Sequence, residues 1–515
     1  MCPALAARGE PRPYRTLAAP RRPGLRWDPV RGSEIRSTEQ AARDGGSSPG
    51  STPPTALAPT PLAPTALAQD AGEPARRGPG RLGPFERARE LAVEAPPLRL
   101  HRARQRLEQP VLADLAAAVA EAIAPLLPRI APGARVAVTA GSRGIAGIVE
   151  ILAALGELLR SVGAEPFVVT AMGAHGGATE EGQRAVLAGL GVTEGAVRMR
   201  LAASMETIEV GQIPGGPRLH VAADAARADA ILLVNRVKPH TDFHGPIESG
   251  LAKLLAIGLG RRSGAEEIHS FGPEALARFV PAGAAELVAR LPVLGGLAIL
   301  EGPRHRPARL AFVEPGGIGG PAEAALLDEA RALLGRLPFD ELDVLVVEEI
   351  GKDYSGTGMD PNVLGRMRIE GTPEPERPAL AVVVALGLSP ASGGNGTGLG
   401  LADLTTFHAL EALDLATTYT NVLTAGRAGI RRAAIPVALR TDRAAIGAAV
   451  AICGRPDPAG VRLAVVHDTL AVEDLWISES LVDEARARGL EVAGSSVPLA
   501  FDPDGTLALR FPLEH

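Results

Sequence analysis

Cysteine is nearly absent: the 515 residues hold two, Cys2 and Cys453. A disulfide framework and a four-cysteine zinc or iron–sulfur site are thereby excluded. Any metal must rely on histidine, carboxylate or a ligand brought by a cofactor. No apolar run approaches the roughly 18 residues needed to cross a bilayer, so a membrane is not an expected partner. The Arg-rich start has no secretory apolar region, which leaves the cytoplasm as the expected location. The net charge is −6, and no dense basic stripe runs through the globular part. Both argue against a nucleic-acid partner.

Lysine is the most telling shortage. Of 53 basic residues only three are lysine, namely Lys238, Lys253 and Lys352. Asparagine is almost as scarce, at Asn235, Asn362, Asn395 and Asn421. Where a charge alone serves, this chain uses arginine. A lysine amine differs because it can lose its proton and act as a nucleophile. Chance survival is the competing reading for any one lysine, but all three fall in Gly-rich polar segments.

What is present suits two or three domains, with 46% apolar residues to fill their cores. Residues 1–90 are rich in Pro, Gly, Ala and Arg and contain the near-repeat PPTALAPTPLAPTALA at 53–68. They read as a disordered low-complexity extension. From about Pro97 the pattern becomes globular. Residues 112–127 form an expected amphipathic helix. Strands follow at 135–139, 166–170 and 230–234, with a helix at 145–162 and another opening at Glu180. Further strands are expected at 343–349, 379–386 and 461–466. Alternating strands and helices give an α/β class: two lobes of doubly wound, mostly parallel, Rossmann-like sheet with a cleft between them. The first α/β domain is placed at 91–275 and the second at 276–515.

Polar residues cluster directly after the strands, where open α/β sheets bind ligands. Arg143, His175 and His240 should therefore converge although they lie far apart in sequence. The densest segment is 235–269, NRVKPHTDFHGPIESGLAKLLAIGLGRRSGAEEIH, with three of the ten histidines and two of the three lysines. Lys253 sits there among small and apolar residues, where desolvation favours a neutral amine. An ordinary helical lysine reaching for solvent is the bland alternative.

This segment resembles the N-terminal domain of nickel-dependent lactate racemases, which carry a run of the type S-G-G-x-K-x-x-L-P-G. Ser249-Gly250-Leu251-Ala252-Lys253 matches it in outline, and His269 lies sixteen residues beyond Lys253. The family's A-T-G-x-H motif is matched by Ala171-Met172-Gly173-Ala174-His175, and its D-x-T-R turn loosely by Gly141-Ser142-Arg143. The Asp of that turn is missing, Leu251 replaces the second glycine of the lysine run, and the run's proline is gone. The chain is therefore a divergent member on this resemblance. The match covers roughly residues 97–275 with some specificity and the remainder only vaguely.

The resemblance implies a racemase or epimerase of a 2-hydroxy acid, lactate or a relative, working by hydride transfer through a nickel-pincer nucleotide tethered to Lys253. His269 would bind the nickel, and His175 and His240 would act as the paired bases, with His244 as the alternative to His240. Ser142 and Arg143 would hold the substrate, Arg143 by a bidentate pair with its carboxylate. Gly173, Gly176, Gly177, Ser249 and Gly250 would cradle the cofactor, the first three beside a helix N-terminus. Lys352 would join the catalytic set from the second lobe. Cofactor-maturation proteins would be partners. Two other readings compete: a non-catalytic or differently tasked binder of a nucleotide-like ligand on the same scaffold, and a pyridine-nucleotide dehydrogenase. The dehydrogenase is disfavoured because no G-x-G-x-x-G follows a strand with an acid about 20 residues on.

The composition of the first segment generates a test. Deleting residues 1–85 should leave the melting temperature within a few degrees of the full chain, because such a sequence cannot bury a core. A large loss of thermal stability contradicts this.

Overall fold

The computed structural model describes residues 93–107, 110–425 and 427–509, together with 88, 91 and 511. The expected disordered extension at 1–90 lies almost wholly outside them. The described chain builds two α/β layers. Runs such as AILLV at 230–234 are apolar on consecutive residues, as strands covered on both faces must be. In the first sheet the strand order is Leu201–Ala202, Glu165–Thr170, Arg135–Ala140, Ala230–Arg236, Val293–Glu301, Pro307–Val313. The first five are parallel and the last is antiparallel. The chain starts at Arg135–Ala140 in the middle, builds outward to one side, then returns to the other. The switch point lies between the carboxyl ends of Arg135–Ala140 and Ala230–Arg236.

The second sheet repeats this logic. Its parallel part runs Val437–Leu439, Leu404–Thr406, Ala379–Leu388, Glu341–Ile350, Leu463–Val466, with a switch point between the last two. Antiparallel strands extend it: Asp474–Ser478, then Arg99–Arg104, then the short Glu491–Val492. The α/β class and mostly parallel sheets are as expected. The hydrogen-bond ladders, however, divide the chain elsewhere than at residue 275. The first sheet continues to Val313, and the strand at 99–104 joins the second sheet. Antiparallel edge strands need no crossover helix, so the βα rhythm of the sequence does not announce them.

Alternate residues of each strand enter different cores. Ala137, Val169, Ile231 and Leu233 pack with Leu251, Leu255 and Phe279 on one face of the first sheet. Val136, Val138, Val168 and Leu232 pack with Ile151, Leu155 and Leu187 on the other. In the second sheet Leu345 and Val347 face one core, Val344 and Val346 the other. The helix expected at 112–127 spans only Leu115–Ile123, because Asp114 caps it by accepting a hydrogen bond from the Ala117 amide at 2.8 Å.

Leu251 is fully buried in the core beneath Lys253, its methyls lying over Gly296. Leu251→Ala should cost about 2–5 kcal/mol, the range for truncating a buried leucine. Chemical denaturation measures it, and an unchanged midpoint contradicts this packing.

Candidate functional site

The first switch point is flanked by two loops. One holds Gly141, Ser142 and Arg143. The other closes on itself between Lys238 and Ser249, where the Lys238 amide donates to the Ser249 carbonyl at 3.0 Å. Glu248 organises this second loop from inside. It is 1% exposed and accepts from the His240 amide (2.5 Å), the Gly245 amide (3.1 Å) and the Arg331 guanidinium (2.6 Å). Burial pushes its carboxyl up, but the bonds from His244, the two amides and Arg331 outweigh this and hold it below the usual range.

Lys253 closes the short helix Leu251–Lys253, which runs into a π-turn at Leu254–Gly258 and on to the helix Arg261–His269. The buried Glu323 carboxylate supports its start by accepting from the Ala252 amide at 3.1 Å and the Gly319 amide at 2.8 Å. A Cβ on Gly250 would come within 2.1 Å of Glu323 Oε1, so glycine is needed for this approach. Gly250 thus has a packing role of its own, and Ser249 pairs with Lys238.

The Lys253 amine touches His240 Nε2. His240 Nδ1 accepts from the Asp242 amide at 2.9 Å. A neutral imidazole bonded in this way carries its proton on Nε2 and donates it to Lys253. In that arrangement the amine is the neutral acceptor, the form that prevails above about pH 8: burial, then Arg143, bring Lys253 down to about 8 although Asp242 opposes them. Burial first and Lys253 second push His240 well below its ordinary value.

His175 enters from the turn after Glu165–Thr170. Gly173, Gly176 and Gly177 all have positive φ there, and a Cβ on Gly176 would strike the Gly182–Gln183 backbone at 2.5–2.7 Å. The turn leads into the helix Glu180–Gly189, capped by Thr179 accepting from the Gly182 amide at 3.0 Å. Ser142 Oγ lies 2.5 Å from His175 Nδ1. His175 and Arg143 are solvent-accessible yet crowded by protein, as residues on a cleft wall are. Desolvation, then Arg143, Lys253, His269 and Lys352, bring His175 down to about 4. His269 ends its helix with Nδ1 donating to the Ala265 carbonyl at 2.6 Å, which leaves Nε2 clear of that bond.

The second lobe supplies the rest. Lys352 follows Glu341–Ile350 and donates to the Gly356 carbonyl at 2.6 Å. Burial, then Arg143, bring it down to about 8. Gly356 itself faces the Arg143 guanidinium. Arg432, 1% exposed, reaches across to Asp242 Oδ1 and to the Thr241 carbonyl at 2.5 Å, and donates behind to the Met367 carbonyl at 2.8 Å. Asn362 Nδ2 donates to the His240 carbonyl at 3.4 Å, and Lys238 lies 4.0 Å from Asp360.

Arg143, Lys253, His269 and Lys352 thus all act electrostatically on His175, and Arg143 and Lys253 act on His240, with Ser142 beside His175. His244 stands apart, against Glu248 at 3.3 Å. Asp242, Glu248 and Arg432 were not singled out in the sequence. Asp242 stands two residues beyond His240 in the dense segment, and that proximity was a usable signal. Arg432 lies 190 residues from Asp242 and had none. Among the described residues, no group of three or more His, Cys, Asp or Glu side chains is placed to hold a metal ion unaided. None of the described helices is long and apolar enough to cross a membrane.

No family model matches the chain, and no curated protein matches it either. Among solved structures, it is similar to a protein of Thermotoga maritima at 14% identity, over 55% of this chain and 72% of that one, with a TM-score of 0.37. It is similar to the lactate racemase apoprotein of Thermoanaerobacterium thermosaccharolyticum at 10% identity, over 70% of this chain and 86% of that one, also with a TM-score of 0.37.

The lowered proton affinity of Lys253 sets a pH dependence. Its amine is protonated below about 8 and neutral above, whereas an exposed lysine needs a pH near 10.4 to become half neutral. Reductive methylation followed by peptide mass spectrometry should show Lys253 half-maximally reactive near pH 8. Reactivity that rises only near pH 10 contradicts the desolvated amine.

Proposed function

We propose that this chain is a 2-hydroxyacid racemase or epimerase that carries a nickel-pincer nucleotide on Lys253. One observation carries the reading: the Lys253 amine, shifted towards neutrality, lies against His240 in a cleft whose other walls are Arg143, Lys352, His175 and His269. A neutral amine is the form that can bond covalently. The cations fit a ligand bearing carboxylate and phosphate.

The residues present fit the cofactor by donor chemistry. His269 offers Nε2, a good ligand for nickel, and with no protein cluster to complete a site the remaining donors would come from the pincer. The N-terminus of the helix Glu180–Gly189 already carries Glu180 and Glu181 and is capped by Thr179, so a phosphate would be met by the cations of the cleft, Arg143 and Lys352, and not by this terminus. When bound, the group supplies the hydride acceptor that an unactivated C–H requires.

The chain's own residues do the remainder. Arg143 holds the substrate carboxylate by paired hydrogen bonds. His175 takes the hydroxyl proton: with Ser142 Oγ accepting Nδ1–H, Nε2 is left unprotonated towards the cleft, and a group brought down to about 4 is in its basic form at neutral pH. His240 is assigned to the opposite face. Engaging the Lys253 amine in a covalent bond frees the His240 Nε2–H to hydrogen-bond the substrate oxygen, and for Nε2 to act as a base the Nδ1 bond from the Asp242 amide must first be given up, so that the ring can carry its proton there. On this reading the chain depends on maturation proteins that make the cofactor.

Lys253→Arg tests the proposal. Arginine keeps the charge and most of the stem, but stays protonated and is not a usable nucleophile. The variant, co-expressed with cofactor-synthesis enzymes, should fold with unchanged circular dichroism, carry no adduct by intact mass and bind no nickel. Lys352→Arg, as control, should keep the adduct. An adduct or racemase turnover in Lys253→Arg rejects the tether.

A further inference from the structure

Beneath the His175 turn lies a charge that the proposed chemistry does not use. Arg261 is fully buried, with φ at +56°. Its Nη1 donates to the Thr170 carbonyl (2.5 Å), to Gln183 Oε1 (2.7 Å) and to Thr170 Oγ1. Its Nε and Nη2 are buried without partners. Burial brings the guanidinium down to about 10, only partly opposed by Asp224 and Glu180. A buried, half-satisfied guanidinium lowers stability relative to an apolar side chain of similar volume.

The hydrogen bonds show what Arg261 arranges. Thr170 Oγ1 also donates to Gln183 Oε1, at 2.6 Å. With two donors on Oε1, the Gln183 amide cannot flip, so its Nε2 faces the other way. There it donates to the Gly173 carbonyl at 2.9 Å and the His175 carbonyl at 3.4 Å. Arg261 is also the first residue of the helix that ends in His269. One side chain therefore joins the element carrying His269 to the turn carrying His175. We infer that Arg261 is a positioning residue: it fixes the orientation of the Gln183 amide and thereby sets where His175 stands relative to His269. The inference rests on the reading of His175 as a base of the site.

Two substitutions separate this role from plain stability. Arg261→Met fills the same space without charge; it removes two unpartnered donors but also the donor to the Thr170 carbonyl, and these oppose each other, so the melting temperature should stay within a few degrees of the parent. Gln183→Glu keeps a partner for Arg261 but removes the donor to both carbonyls. In each variant, imidazole NMR of the uniformly 15N-labelled protein should show that Nδ1 of His175 loses its hydrogen bond to Ser142. In Arg261→Met the His175 titration should also rise from about 4 by at least one unit, a tenfold gain in proton affinity. Arg261 is not among the charges that press on His175, so this gain would report a displaced ring. A folded Arg261→Met with unchanged His175 shift and titration overturns the inference. If that variant does not fold, an intact Ser142 hydrogen bond in Gln183→Glu overturns it. These measurements test the brace whatever reaction the cleft performs, whereas undiminished turnover in His175→Ala would count against the racemase reading alone.

Discussion

Arg432 is the contact on which the cleft depends. Its guanidinium is taken almost wholly out of water, so each of its donors needs a partner there, and the partners come from both lobes: the Met367 carbonyl behind it, and Thr241 and Asp242 in front. Asp242 is thus fixed by charge on its carboxylate and by geometry on its amide. The amide sets the tautomer of His240, whose Nε2 meets the Lys253 amine, and the Asp242 carboxylate opposes the loss of charge on that amine. The chain of contacts runs from the second lobe through one ion pair to the Lys253 amine of the first.

The same cleft concentrates positive groups that it cannot keep charged. Lys253 and Lys352 are brought down to about 8 and His175 to about 4, each first by burial and then by neighbouring cations. Protonation and anion binding are linked: an anion held beside these groups stabilises their charged forms, so its binding raises the proton affinities that burial and neighbouring cations lower. The arrangement therefore favours a ligand bearing negative charge, and a carboxylate near Arg143 would restore charge to the groups around it.

The strands and the loops after them were legible in the sequence because both are local. An unbroken apolar run marks a strand covered on two faces, and polar residues beyond it mark a carboxyl end. The strand expected at 230–234 spans Ala230–Arg236, and that at 343–349 spans Glu341–Ile350. What the sequence did not disclose rests on pairing over long distances. The strand at 99–104 lies against Asp474–Ser478, more than 370 residues away. The tie from Arg432 to Asp242, the Glu323 cap on the Lys253 helix and the brace from Arg261 to Gln183 are set by packing, and no spacing in the chain encodes them. Gly250 shows the limit from the other side: its residue type was read as room for a cofactor, whereas the close approach that requires glycine is that of Glu323.

The scarcity of lysine gains a physical meaning from these placements. Lys238 stands at the base of the closed loop, partly buried and 4.0 Å from Asp360 of the other lobe. Lys352 turns back onto its own loop beside Arg143. Lys253 meets His240. All three are desolvated, and burial is the first cause of the lowered proton affinity of each. Arginine carries the surface charge of this chain because a guanidinium in water serves as well as an ammonium. In a desolvated cleft the two differ. An ammonium can shed its proton and relieve the field, whereas a guanidinium stays charged and must be paired on every side, as Arg432 is and Arg261 is not. Lysine persists at positions where relief by deprotonation is open to the side chain, and among them only Lys253 is placed so that the resulting neutral amine faces a hydrogen-bond donor.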